Sequence, residues 1–446
     1  MKLKNLKEEL ETYGYKFSVT KSLMWAILIG GLVVVLGVIF GLPTMYMIIL
    51  ACGLAFISPF YISCILKISF EEKKFSEINI YIEQFLYSFQ KTGKILSSLR
   101  DVRQLFEEGD MHDNLDKAID HIENDFDEED SVSASLRELE NVYPTNLLCT
   151  AHKFCQQVEV NGGESQMGIS LLLEARRLWA DRTTELMKMK RQKVVQIIFS
   201  VVLSVMMCWV LLTVGKRINI DICEYTIARV SMVLMIWLNL LIIYKACKKM
   251  AVSLCESRLP GEEVLEKYKV LCKHRMKKGI HPFDNLRFRE VKKAIEQVYP
   301  QWLLQVSILL QCENVQVALS KSYDDAPLLM KPFLKDFLQE LNESPTNIVP
   351  YINFLQEFNL PQVQSSMKML YSISEGNGGQ ASVQIEDIIR RNQLMIDQSE
   401  KMKNSDEMAG MYALFLAPQI TSGMKMLIDM AVMFFGLMSS GVVMGG

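Results

Sequence analysis

Two stretches of the chain repeat a glycine pair of the kind that can cradle a phosphate: "VEVNGGESQMG" (Val158–Gly168) and "ISEGNGGQASV" (Ile373–Val383). Backbone amides around Gly162–Gly163 and Gly378–Gly379, at the head of a following helix, would suit that chemistry. No strand pattern precedes either pair, however, and the residues that follow do not fit a nucleotide-binding turn. "TGKIL" at Thr92–Leu96 lacks the upstream glycine and the hydroxyl residue after Lys94 that a triphosphate loop requires. Ten cysteines and five histidines supply no C-x-x-C and no H-x-x-x-H, so no zinc site is expected and the thiols read as reduced. The acidic run Glu107–Asp130 lacks the order of a calcium loop and reads as a solvated helix face and loop. Neither a nucleophile elbow nor an H-E-x-x-H helix is present. The expectation is a non-enzymatic chain with no catalytic residues, no metal and no cofactor, whose glycine pairs are turns that close one helix and open the next.

The elements around those turns are apolar. Half of the 446 residues are hydrophobic, 22 % are charged and the net charge is −3. That balance is more apolar than a soluble enzyme of this size and offers nothing to nucleic acid. Met24–Leu42 is uncharged and long enough to cross a bilayer, which takes about 20 apolar residues. After the Pro43-Thr44 turn, Met45–Leu66 returns. A signal peptide is the rival reading of the first span, and the immediate second span argues against it. Val194–Val214 and Ile227–Ala246 form a second hairpin. A third is expected from Met408–Thr421 and Lys425–Val443, with one span preceded by a re-entrant or interfacial segment as the alternative. Lys425 and Asp429 raise the question of a proton relay, against the plainer reading of a wet or paired carboxylate. Lysines and arginines gather at the same ends of the spans (Lys67, Lys73, Lys74, Lys188, Lys190, Arg191, Lys193, Lys248, Lys249), which puts the polar segments in the cytoplasm.

The fold class that follows is an all-α integral membrane protein, two cytoplasmic helical-bundle modules alternating with transmembrane helical hairpins. Its divisions are a cytoplasmic segment 1–23, hairpins at 24–66, 194–247 and 407–446, and modules at 67–193 and 248–406. The modules look like copies. Tyr299–Tyr323 parallels Tyr81–Val102, and setting Gln301 on Gln84 gives an offset of 217, against 216 for the glycine pairs. In the first copy Ile78, Ile82, Phe85, Leu86 and Phe89 make one apolar stripe and Ile95, Leu96, Leu99, Val102 and Leu105 the next. Each glycine pair leads into an arginine-bearing helix that ends at an apolar segment.

This layout resembles the type II secretion system F domain family, the inner-membrane platform proteins of type II secretion and type IV pili, and more closely those of the Tad (tight adherence) pilus machinery. The family's pattern ahead of its third span reads here as Glu159, Gly162, Gly163, Leu172, Arg176 or Arg177, and Arg182. Glu164 and Ser165 replace its apolar residue. The second copy offers Gly378, Gly379, Ile388 and Arg390, with Arg391 beside it. The resemblance extends from about residue 24 onward and lies in the whole layout more than in any short string. It implies a platform that binds a hexameric secretion ATPase and pilin or pseudopilin subunits, associates with other platform subunits in membrane lipid, and couples ATP-driven motion to fibre assembly. Coupling or partner contact then falls to Glu159, Arg176, Arg177, Arg182, Arg390 and Arg391. The alternative for these arginines is that they fix orientation against lipid headgroups. Tad platforms usually carry one module per chain, so two imply a fused or variant platform. A transporter or channel, and a membrane receptor or scaffold with helical cytoplasmic modules, are the competing functions. Transporters gather more spans around broken helices at the midplane.

Overall fold

A computed structural model describes residues 19–124, 128–162, 166–218, 220–254, 261–276, 283–311, 313–376 and 381–439. Those residues are all-helical, with no strand among them. They form two compact units, one of residues up to Phe75, Arg182–Leu254 and from Ser405 on, the other of Ser76–Asp181 and Cys255–Asn404.

The first unit is apolar. It holds α1 (Val19–Phe40), the start of α2 (Thr44–Thr92), the end of α7 (Gln166–Arg217), α8 (Thr226–Met250) and the end of α15 (Ala381–Ser439). α2, α7, α8 and α15 are long and apolar enough to cross a membrane, and these four helices mark a membrane protein. α1 stops at Gly41, whose φ of +57° places it in the left-handed region. Gly41 N–H donates to Val38 O and Leu42 N–H to Gly37 O, which satisfies the last carbonyls before Pro43 turns the chain. Gly53 on α2 faces Trp237 on α8, where any Cβ would collide with the indole. Small residues at such crossings are what let spanning helices approach closely.

The hairpin expected at 407–446 is a correction: α15 runs unbroken from Ala381 to Ser439, with Pro418 inside it. Proline removes one ladder bond, and a neighbouring helix can make good the loss. Beside it, Ser200 Oγ on α7 donates to Phe415 O, next to the Leu414 carbonyl that Pro418 leaves free, at 3.0 Å, and Gln419 Nε2 donates to Ser200 Oγ at 3.2 Å. One turn on, Asn239 Nδ2 donates to Ser204 Oγ at 3.1 Å while Thr421 Oγ1 donates to Asn239 Oδ1 at 3.0 Å. Lys425 and Asp429 pair with each other, so neither charge needs a turn to reach water. The expected edges at 66/67 and 193/194 likewise fall inside continuous helices, α2 and α7.

The second unit contains both copies of the repeated segment. Copy one is the end of α2, α3 (Ile95–Arg103), α4 (Asp110–Asn124), α5 (Glu128–Val142), α6 (Asn146–Asn161) and the start of α7. Copy two, entered through α9 (Glu262–Met276), is α10 (Asp284–Leu309), α11 (Val315–Lys321), α12 (Lys331–Glu343), α13 (Val349–Asn353), α14 (Pro361–Ser374) and the start of α15. Helix bounds recur at nearly one step. Thr92 and Leu309 end helices at the register that sets Gln301 on Gln84. Asn146 and Pro361, and Gln166 and Ala381, begin helices at a register only slightly shorter. Burial recurs too. Ile78, Tyr81, Ile82, Phe85, Leu86 and Phe89 are buried, and so are their counterparts at the first register, Ile295, Val298, Tyr299, Trp302, Leu303 and Val306. At the second register Leu148, Ala151, His152 and Cys155 match Val363, Ser366, Met367 and Leu370, all buried. Matched burial is a stronger mark of a repeated unit than matched residue types.

Leu105 departs from its expected stripe. α3 ends at Arg103 and Leu105 is exposed. The acidic helix α4 is held to α3 by Arg100–Glu123 (2.8 Å) and Arg103–Asp116 ion pairs, with 125–127 outside the described residues. Between the copies, Asn146 Nδ2 donates to Gln301 Oε1 at 2.7 Å and Lys153 pairs with Asp325. These flank a cleft of about 770 Å³ lined by apolar side chains such as Trp302, Ile308 and Leu309 mixed with amides such as Asn141, Gln157 and Gln305.

Candidate functional site

Of the predicted coupling residues, Arg176 sits where copy one holds its exit helix. In copy one, Arg176 on α7 reaches α2: Nη1 donates to Asn79 Oδ1 and Nη2 to Glu83 Oε1, both at 2.9 Å. Its side chain is 13 % exposed, and Nε, also buried, has no partner among the described residues. Burial of the register neighbours Ile169 and Leu172 turns this face of α7 inward. Copy two has the same joint with different chemistry. The offset of the glycine pairs takes Leu172 to the buried Ile388 and Arg176 to Asn392. The offset that sets Gln301 on Gln84 takes Glu83 to Pro300. Asn392 is fully buried, and its Nδ2 donates to Pro300 O at 2.8 Å. Two helices are thus clasped at equivalent points, one by a charged guanidinium fork and one by a neutral amide.

The other predicted residues are placed apart from these clasps. Arg177 is exposed and pairs with Glu174 on its own helix at 3.0 Å. Arg390 is 78 % exposed and pairs with Asp387 at 3.2 Å. Arg391 Nη1 donates to Ser365 Oγ at 2.9 Å from an exposed position. Arg182 is half-buried at the start of the apolar unit's share of α7. Glu159 contacts backbone instead, its Oε2 accepting from Ile95 N–H at 3.0 Å while Oε1 meets Lys94 Nζ at 3.4 Å. A carboxylate at a helix N-terminus satisfies a free amide and opposes the dipole, so Glu159 caps α3 from α6, where Lys94 supplies no cap of its own. Gly162 ends α6 at φ +71°, its N–H donating to Val158 O. Gly163, Gly378 and Gly379 lie outside the described residues. In copy two the left-handed residue after α14 is Gly376, at φ +79°, ahead of the glycine pair. Gly168 completes the turn region: a Cβ there would strike the Phe154 ring, so α6 and α7 touch through it.

A buried polar chain distinguishes copy one. His152 is fully buried, with Nδ1 3.0 Å from Glu140 Oε1 and Nε2 2.9 Å from Tyr81 Oη. A carboxylate only accepts, which assigns a proton to Nδ1 and makes His152 the donor to Glu140. Copy two has Val298 and Met367 at the matching places. Burial pushes the Glu140 carboxyl up, but the hydrogen bond and electrostatic pull of His152, helped by Cys149 and Lys153, outweigh it and hold Glu140 below the usual carboxylate range. Burial, with the Glu140 charge beside it, pushes the Cys149 thiol up to about 12, the reverse of what a nucleophile needs. Tyr81 is likewise raised by burial. A depressed carboxyl contributes stability that is present above its unfolded pKa and lost as pH falls through its folded value. Glu140→Gln is therefore expected to flatten the acid limb of the pH–stability profile, below about pH 4, where the wild type loses this contribution. Urea midpoints of the two proteins between neutral and acid pH check it.

Sequence reasoning missed Asn79, Glu83 and Asn392. Asn79 and Glu83 carried a legible signal, since both lie one helical turn apart on the polar flank of the first stripe. Asn392 was hidden because matching by charge pointed to Arg390, whereas matching by burial points to residue 392. Among the described residues, no three of His, Cys, Asp and Glu converge as metal ligands. Compared with known proteins, the chain matches no family model, no curated protein and no solved structure.

Proposed function

We propose that this chain is a non-enzymatic platform in the cytoplasmic membrane for a type IV or Tad-like pilus or a type II secretion machine, coupling a cytoplasmic secretion ATPase to pilin extraction. The observation that carries the reading is the duplicated helical body whose two exit helices, α7 and α15, are clasped at equivalent places and contain apolar spans. Such a body offers a rotating partner two similar faces, and continuous helix transmits displacement without a hinge to absorb it. The basic ends of the spans support a cytoplasmic body. Partners follow from the same reading: the hexameric ATPase, pilin or pseudopilin subunits, other platform subunits and lipid, with no nucleic acid. Glu159 and Arg176 keep the body in shape, which leaves the exposed Arg177 and Arg390 to meet the partner.

Full-length protein extracted from membranes should retain the ATPase expressed with it. Arg177→Glu combined with Arg390→Glu should weaken that retention by about tenfold or more while leaving the thermal midpoint in place. Failure of the wild type to retain the ATPase, or normal fibres from cells lacking the chain, sinks the reading.

A further inference from the structure

The end of α8 carries Lys245 and, in the last turn, Lys248 and Lys249, all exposed and none with a carboxylate partner among the described residues. Neighbouring cations in the same unit are neutralised: Lys190 pairs with Glu407 at 2.5 Å and Arg191 with Glu72 at 2.8 Å. Lys249 is also positioned, because its ammonium lies over Gly410 of α15, where a Cβ would collide with it. Directly in line with these lysines, Leu234, Leu238 and Leu241 are exposed. Steps of four, three, four and three residues put Leu234, Leu238, Leu241, Lys245 and Lys248 on one face of the helix. That face has an apolar length ending in concentrated positive charge.

We infer that this face of α8 binds one anionic phospholipid, its acyl chains along the leucines and its phosphate among the three ammonium groups. The complementarity is to a head and a tail together. A free anion would meet the lysines and gain nothing from the leucines, and a zwitterionic lipid would present its own cation to the trio. Each lysine near an anionic headgroup contributes on the order of 1 kcal/mol, so losing three amounts to about a hundredfold in affinity. The site rests on the membrane reading and is independent of the platform reading.

The test uses full-length protein in detergent after delipidation. The probes are phosphatidylglycerol, phosphatidylcholine with the same acyl chains, and inorganic phosphate. Native mass spectrometry reads bound lipid, and the thermal midpoint reads its effect. The expected result is one retained phosphatidylglycerol, a midpoint raised by that lipid alone, and roughly hundredfold weaker binding in K245Q/K248Q/K249Q. The K245R/K248R/K249R protein should bind as the wild type does. The proposal is overturned if the glutamine variant binds phosphatidylglycerol normally, if phosphatidylcholine binds equally, or if inorganic phosphate displaces the lipid. A wild-type chain that retains its ATPase but no lipid would overturn this site and leave the platform reading standing.

Discussion

Lys425→Met is expected to lower stability by about 3–5 kcal/mol, the usual result of removing one partner from a buried ion pair. Asp429 is fully buried on α15, Lys425 is 3 % exposed, and Asp429 Oδ2 has no hydrogen-bond partner among the described residues. Deleting the lysine strands a carboxylate among apolar helices with nothing to neutralise it. Lys425→Met combined with Asp429→Leu should recover most of the loss, because two apolar side chains of similar size need no partner. Unfolding midpoints of the four proteins of this double-mutant cycle in one detergent give the coupling directly. The cycle also bears on the proton-relay question. A double variant that folds as well as the wild type and still supports fibre assembly removes any need for a titrating carboxyl at this depth. One that folds but assembles nothing gives the relay reading its first support.

Arg176→Ala is the second large effect, at about 2 kcal/mol. It leaves Glu83, 31 % exposed, and Asn79 without their shared donor, and partial access to water moderates the cost. Asn392→Ala removes one neutral amide–carbonyl bond at the equivalent joint and should cost about 1 kcal/mol. Arg177→Ala, Arg390→Ala and Arg391→Ala should each stay within about 0.5 kcal/mol, as surface substitutions do. Urea unfolding of the five single variants orders them. If Arg390→Ala costs as much as Arg176→Ala, the assignment of residue 392 as the counterpart of Arg176 is wrong. Hydrogen exchange should place the Arg176→Ala effect in the first turns of α7.

Much of this architecture was legible in periodicity. The stripe from Ile78 to Phe89 was readable because helical spacing and burial share one cause, and the repeat because both copies bury the same register. Three features were not readable. Pro418, Lys425 and Asp429 together suggested a turn, because the Ser200 contact beside the proline lies on another helix and the mutual pairing of the two charges shows only in the packed structure. The role of Glu159 was invisible because the amide it caps is 64 residues away in sequence. Arg176 was singled out for coupling or partner contact, whereas the partners it holds lie within its own unit, 93 and 97 residues off, and no local spacing names them. Residue type located the charged groups, and only packing showed which of them were structural.

The two clasps carry one further consequence. One arm of the Arg176 fork meets the Glu83 carboxylate, a charged contact that salt screens, whereas the Asn392 amide on a backbone carbonyl is indifferent to salt. The duplicated halves therefore answer to different solvents. Under high salt the α7 joint is therefore expected to weaken ahead of the α15 joint, so that one half opens before the other. A difference in the chemistry of two like contacts thus builds a sequence of yielding into the body.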